Sequence, residues 1–70
     1  MLNKETIIKL GFVEKVKNKK TYYQKGQYIL LPNGIGCWDW GVDGGTEGIP
    51  HNSISICTEE QLKEALKNAN

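Results

Sequence analysis

The side chains able to do chemistry in this 70-residue chain are few and far apart. Cys37, His51 and Cys57 are its soft metal ligands, and their spacing fits no zinc pattern; a structural zinc site needs a full tetrahedral set. As a nucleophile and base they have no motif around them, and an isolated buried cysteine behaves mainly as a small hydrophobe. Asp39-x-x-x-Asp43-Gly44 begins like a calcium loop. It then places Gly41 at the third position and Pro50 at the twelfth, where oxygen ligands are required. With one histidine, general acid–base catalysis has few players. The chain therefore reads as a non-enzyme, with no catalytic residue, no metal and no cofactor.

Two other groups of residues could recognise rather than react. Lys15, Lys17, Lys19 and Lys20 run directly into Tyr22 and Tyr23. Lysines on phosphates with tyrosines stacked on bases would hold a nucleotide or single-stranded nucleic acid. A lysine-rich strand at a sheet edge also keeps sheets from pairing with one another, which competes with that reading. The second group is the segment from Ile35 to Gly48. It holds both tryptophans, three of the eight acidic residues and five of the eight glycines. Tryptophan offers large apolar contact area and glycine lets backbone approach closely.

Composition narrows the classes further. Seventy residues form one domain, 1–70, too small to bury more than roughly 60% of its unfolded surface. Residues 1–25 carry seven lysines and two glutamates, a net +5; residues 26–70 carry two lysines and six acids, a net −4. That lopsidedness suggests opposite charged sides. There is no arginine, the usual bidentate grip on phosphate or guanine, which weakens the nucleic-acid reading. Nine lysines, six asparagines and seven isoleucines fit an AT-rich genome. Residues 1–12 have no continuous apolar run and carry Lys4, Glu5 and Lys9, so no secretory leader is expected. No stretch approaches the ~20 apolar residues of a membrane span. The cytoplasm follows as the expected location, of a bacterial host if phage-encoded, with both thiols reduced. Without disulfide or metal, self-association, most simply a homodimer, would support so small a domain.

These residues must be positioned by a small α+β fold. Asn3 caps a short helix over Lys4–Leu10, with Gly11 in the left-handed position after it and Leu2, Ile7 and Leu10 as its buried stripe. Val13–Lys17 reads as a strand. Tyr22–Gln24 and Gln27–Ile29 flank a Lys25-Gly26 turn, and Asn33-Gly34 is a hairpin signal before Ile35–Val42. Residues 43–53 read as a loop and Ser53–Cys57 as a further strand. Thr58 and Gln61 form a capping box, Cys57 and Leu62 a hydrophobic staple, and Leu62, Ala65, Leu66 and Ala69 an apolar stripe. The sum is a three- to five-stranded antiparallel meander packed by a short N-terminal helix and an amphipathic C-terminal one.

Two-residue turns would pair Tyr23 with Tyr28, Tyr22 with Ile29, Ile29 with Trp38, Leu30 with Cys37 and Tyr28 with Asp39. One face then carries Tyr22, Ile29, Leu31, Trp38 and Trp40, the other Tyr23, Tyr28, Leu30, Cys37 and Asp39. Helices lined by leucine and alanine need large partners, so the tryptophan face is the expected core. Tyr23, Tyr28, Asp39, Trp40 and Asp43 are the expected partner contacts, beside a glycine loop able to adapt.

In layout the chain resembles small orphan proteins of phages and mobile elements in AT-rich bacteria. The resemblance rests on T-I-I-K-L-G-F (6–12), the tyrosine-rich hairpin, W-D-W-G (38–41) and C-T-E-E-Q-L-K-E-A-L (57–66). Some such proteins inhibit host defence by binding a defence protein or sequestering a signalling nucleotide. The resemblance thus implies an anti-defence or accessory binding module for an unidentified protein or small ligand. Beside it stand two alternatives: a nucleic-acid or nucleotide binder acting through 15–20 and the tyrosines, and a purely structural oligomer-forming domain.

Overall fold

A computed structural model describes residues 2–45 and 48–69. Asn3 opens helix α1 (Lys4–Lys9): its side-chain oxygen accepts the Thr6 N–H at 2.9 Å, satisfying a donor that has no intrahelical partner. Gly11, at φ +104°, ends it and turns the chain through Phe12 into the sheet. Five strands follow as a pure antiparallel meander: β1 (Val13–Lys17), β2 (Lys20–Lys25), β3 (Tyr28–Pro32), β4 (Trp38–Asp43) and β5 (Pro50–Ile56). Helix α2 (Glu59–Asn68) closes the chain.

Three turns set the register. Asn18 and Lys19, both at positive φ, are the two central residues between Lys17 and Lys20. Asparagine tolerates that conformation far better than most side chains. The next turn falls on Gly26-Gln27, one residue later than the expected Lys25-Gly26, because Gly26 supplies the positive φ. Tyr23 therefore opposes Leu30, not Tyr28. The largest departure is at Asn33. The expected two-residue Asn-Gly turn is a five-residue loop, Asn33–Cys37, closed by Asn33 N–H to the Cys37 carbonyl at 3.1 Å. Asn33 also accepts the Ile35 N–H on its side chain, and Gly34 and Gly36 both take positive φ.

That longer loop slides β4 by three residues. Ile29 opposes Gly41, not Trp38, and Leu30 opposes Trp40, not Cys37. An odd slide exchanges the faces of a strand. Trp38 and Trp40 thus lie with Tyr23, Tyr28 and Leu30, and Asp39 moves to the face of Tyr22 and Ile29. The expected division into a tryptophan face and a tyrosine face is corrected: Tyr23, Tyr28, Trp38 and Trp40 share one side, and Tyr22 lies on the other.

Both helices cover that side. Leu2, Ile7, Phe12, Tyr23, Leu30, Trp38, Trp40, Ile56 and Leu62 form one buried cluster, with Leu10, Tyr28, Ala65, Leu66 and Ala69 against it. The rings are ordered: Tyr28 stacks on Trp40 at 4.8 Å, while Phe12–Trp40 and Tyr23–Trp38 meet edge-to-face at 6.2 and 5.6 Å. Such pairs add about 0.5–1.5 kcal/mol beyond area burial. Their polar ends are satisfied. Trp38 Nε1–H donates to the Leu2 carbonyl, Tyr23 O–H to Glu14, and Tyr28 O–H to the Ala69 carbonyl.

The other side of the sheet carries Tyr22 and Ile29. The connection from β4 to β5 brings Gly48 onto the ring of Tyr22. A Cβ at Gly48 would stand 2.8 Å from that ring, and Tyr22 and Ile29 are both buried. Asp43 anchors the connection: its carboxylate accepts the Gly45 N–H at 3.0 Å and the Gln24 amide at 3.1 Å. Strand β5 begins at Pro50, three residues before the expected Ser53. A bulge at Asn52 (φ +55°) absorbs the turn-prone residues within the ladder. Proline is tolerated as the first residue of an edge strand.

Cys37 and Cys57, expected as separate thiols, form a disulfide. The register explains it. Trp38 opposes Ile56, so one residue further out Cys37 and Cys57 face each other, Cα atoms 4.3 Å apart. The bond ties the start of β4 to the cap of α2. There the capping box is complete, with Gln61 N–H to Thr58 Oγ1 at 3.1 Å and Thr58 N–H to Gln61 at 3.0 Å.

Two stability predictions follow from this arrangement. Leu62→Ala, at a fully buried position, lowers stability by about 2–5 kcal/mol, and Leu66→Ala, half-buried, by less. Thr58→Ala costs about 1 kcal/mol. Denaturant melts give the ranking, and equal effects at 62 and 66 would mean α2 is rotated. Second, Cys37→Ser with Cys57→Ser loses about 3 kcal/mol, the loop-closure entropy of a link across some twenty residues. A double variant as stable as the oxidised protein would show that the bond supports nothing.

Candidate functional site

Helix α1 begins where the β3–β4 loop ends, and the two leave a cleft between them. Its floor is Leu2, Tyr23 and Trp38, one wall is Pro32 with the backbone of Gly34, Gly36 and Cys37, and Asn3 and Lys4 stand on the opposite wall. The space is open to solvent and about 490 Å³, within the ~300–1,000 Å³ range of small-ligand sites. Each part is positioned by the local structure already described. Leu2 is held at both backbone groups, its N–H on the Cys57 carbonyl at 3.2 Å and its carbonyl on Trp38 Nε1 at 3.3 Å. Cys37 is fixed by the disulfide. Ile35, between the two glycines, is 79% exposed on the same loop. The arrangement offers an apolar floor, glycine backbone without side-chain obstruction, and one ammonium group.

Burial holds the Tyr23 hydroxyl above the ordinary tyrosine range, and its hydrogen bond to Glu14, with that carboxylate's charge, adds to the effect. It stays a neutral donor. No base–nucleophile pair is assembled at the cleft by the described residues, and no group of three or more His, Cys, Asp or Glu among them could hold a metal. Both cysteines are in the disulfide. His51 stands against Gly44, where a Cβ would meet its ring at 2.5 Å.

The expected contact residues are divided by the sheet. Tyr23, Tyr28 and Trp40 come together on the helix side, Tyr23 and Trp40 as core and Tyr28 half-buried. Asp39 and Asp43 lie on the other side. Asp39, half-buried, faces the amide of Asn33 at 3.4 Å. Asp43 is exposed, and its carboxyl is held below the usual range by the Gly45 N–H first, then by the Gln24 amide, with Lys15 and His51 adding charge. Of the segment 35–49, Gly36, Cys37 and Trp38 line the cleft, and Thr46 and Glu47 lie outside the described residues. Gly41, Gly44 and Gly48 serve close approach: their missing side chains make room for Pro50, His51 and Tyr22. Leu2, Lys4, Pro32 and Gly34 were not legible as site residues; the signal present was two glycines on either side of Ile35.

The lysines gather at the tip of the β1–β2 hairpin. Lys17 and Lys20 are directly opposed, and Lys19 occupies the turn. Lys15 donates to Gln24 at 3.3 Å. Tyr22 and Tyr23 are buried on opposite faces, so neither ring is available to stack on a base. No helix among the described residues is long and apolar enough to cross a membrane. No family model, no curated protein and no solved structure matches the chain.

Proposed function

We propose that the chain is a small non-enzymatic binding module that seats an apolar segment of a partner protein, or a small ligand, in the cleft between α1 and the β3–β4 loop. The observation that carries this is the conjunction of an open cleft floored by Tyr23 and Trp38 with Ile35 left exposed on its wall-forming loop. Aromatic rings in partly formed pockets dominate contact energies, and Lys4 would favour a ligand carrying negative charge beside its apolar part. An anti-defence role in a bacterial host is one form of this reading, with a defence protein or signalling nucleotide as the occupant.

A second reading has its own observation. Lys17 and Lys20 are directly opposed at the hairpin tip, with Lys19 in the turn between them. A polyanion bound at the tip would meet these lysines through phosphate contacts, without base stacking.

Capture from an AT-rich bacterial lysate, followed by mass spectrometry of proteins and small molecules, separates the two. Ile35→Asp and Lys4→Glu change exposed side chains and should leave stability within about 0.5 kcal/mol, while abolishing retention of the cleft's partner. If retention survives both and is lost in Lys17→Glu with Lys19→Glu, the hairpin tip is the site. Binding there should fall steeply as salt rises from about 50 to 200 mM. Retention unaffected by all four substitutions would reject both readings.

A further inference from the structure

The two outer strands of the sheet are built differently. β1 carries Glu14, Lys15 and Lys17, the charged composition that stops one sheet pairing with the next. From Ile49 to Cys57 there is no charged residue, and β5 reads Pro-His-Asn-Ser-Ile-Ser-Ile. Its burial is as unusual: five consecutive residues, His51 to Ser55, are exposed, and Ile54 is 57% exposed opposite a buried Trp40.

The ladder shows which backbone groups of β5 face outward. Opposed residues in an antiparallel pair alternate between wide, hydrogen-bonded rungs and narrow ones of about 4.5 Å that exchange no bonds. Cys37 and Cys57, at 4.3 Å, form a narrow rung. Ile56 and Ile54, opposite Trp38 and Trp40, therefore turn their N–H and C=O groups toward β4. Ser55 and Cys57 turn theirs away, and Ser53 continues the alternation up to the bulge at Asn52. An independent contact agrees: the outward carbonyl of Cys57 accepts the N–H of Leu2.

We propose that β5 is the edge by which two copies of this chain pair, antiparallel about a two-fold axis at Ile54, extending both sheets into one. Ser53 and Ser55 of each copy exchange hydrogen bonds with Ser55 and Ser53 of the other. Ile54 meets its own copy across the narrow rung, where side chains are closest. The uncharged edge is what selects a second copy. Two β5 strands meet without charge repulsion, and the two-fold arrangement closes on itself. β1 against β1 would appose lysines, and β1 against β5 would propagate without closing. With one short strand contributed by each copy, the contact belongs to the small, weak class of interfaces. The inference does not depend on what the cleft holds.

Sedimentation equilibrium from micromolar to millimolar concentration, paired with amide exchange, tests it. The wild-type protein should move from monomer to dimer mass, with the Ser53 and Ser55 amides gaining protection as dimer forms. Ile54→Lys changes an exposed side chain, and Ser55→Pro removes an outward N–H that β4 does not use. Each should keep the melt of the wild type and remain monomeric. Val16→Lys, on the opposite edge, should dimerise as the wild type does. A wild type that stays monomeric at millimolar concentration overturns the proposal and leaves the edge to a foreign peptide strand. So does a dimer that persists in both β5 variants.

Discussion

The hydrogen bond from Asn33 N–H to the Cys37 carbonyl closes a loop of odd length, and the parity of that loop organises the molecule. Side chains alternate across a strand, so an odd number of residues between β3 and β4 decides which face receives Trp38 and Trp40. The five-residue loop sends both to the side of Tyr23, Tyr28 and Leu30. Tyr23, Tyr28, Trp38 and Trp40 then lie where α1 and α2 can cover them. A chain of this size has two short helices to spend on one face, and the loop length ensures that one face is enough. The same closure puts Cys37 opposite Cys57, so the cross-link and the core rest on one backbone decision.

With aromatic mass concentrated on one side, the opposite face needs less cover. Tyr22 and Ile29 are its large buried apolar groups, and Gly48 packs directly against the Tyr22 ring. Polar pairs flank that patch: Asn33 with Asp39 and Ser55 toward one end, Gln24 with Asp43 toward the other. The cleft, the lysine hairpin tip and the uncharged outer strand accordingly lie at the margins of the sheet. The faces are taken up by packing.

Elements whose signals are local were legible in the sequence. The Asn3 cap, the Gly11 stop, the strand 13–17 and the Thr58–Gln61 box all stand where spacing places them, because each depends on hydrogen bonds within a few residues. What depended on turn length was not. Asn33-Gly34 is a strong two-residue hairpin signal, and the competing geometry came from Gly36 and from the Asn33 side chain bonding to Ile35. One turn misjudged by an odd number inverts the face of every later side chain, which is why Asp39 and Asp43 were grouped with Tyr23 and Tyr28. Compartment predicts separate thiols, whereas their pairing is a matter of register. Residue propensity starts β5 late, because Pro50, His51 and Asn52 favour loops, which a bulge can absorb inside a strand.

The flat connection over Tyr22 has an evolutionary corollary. A Cβ at Gly41 would lie 2.6 Å from the His51 carbonyl, and one at Gly48 would strike the Tyr22 ring while also requiring positive φ. A lysine at the hairpin tip can drift to another polar residue, and an aromatic in the core can be exchanged if its neighbours compensate. No side chain at 41 or 48 leaves the path of the backbone intact. Descent with modification in this fold should therefore preserve two residues that have no side chain at all, and lineages that lose either glycine should show an insertion or deletion between β4 and β5 at the same step.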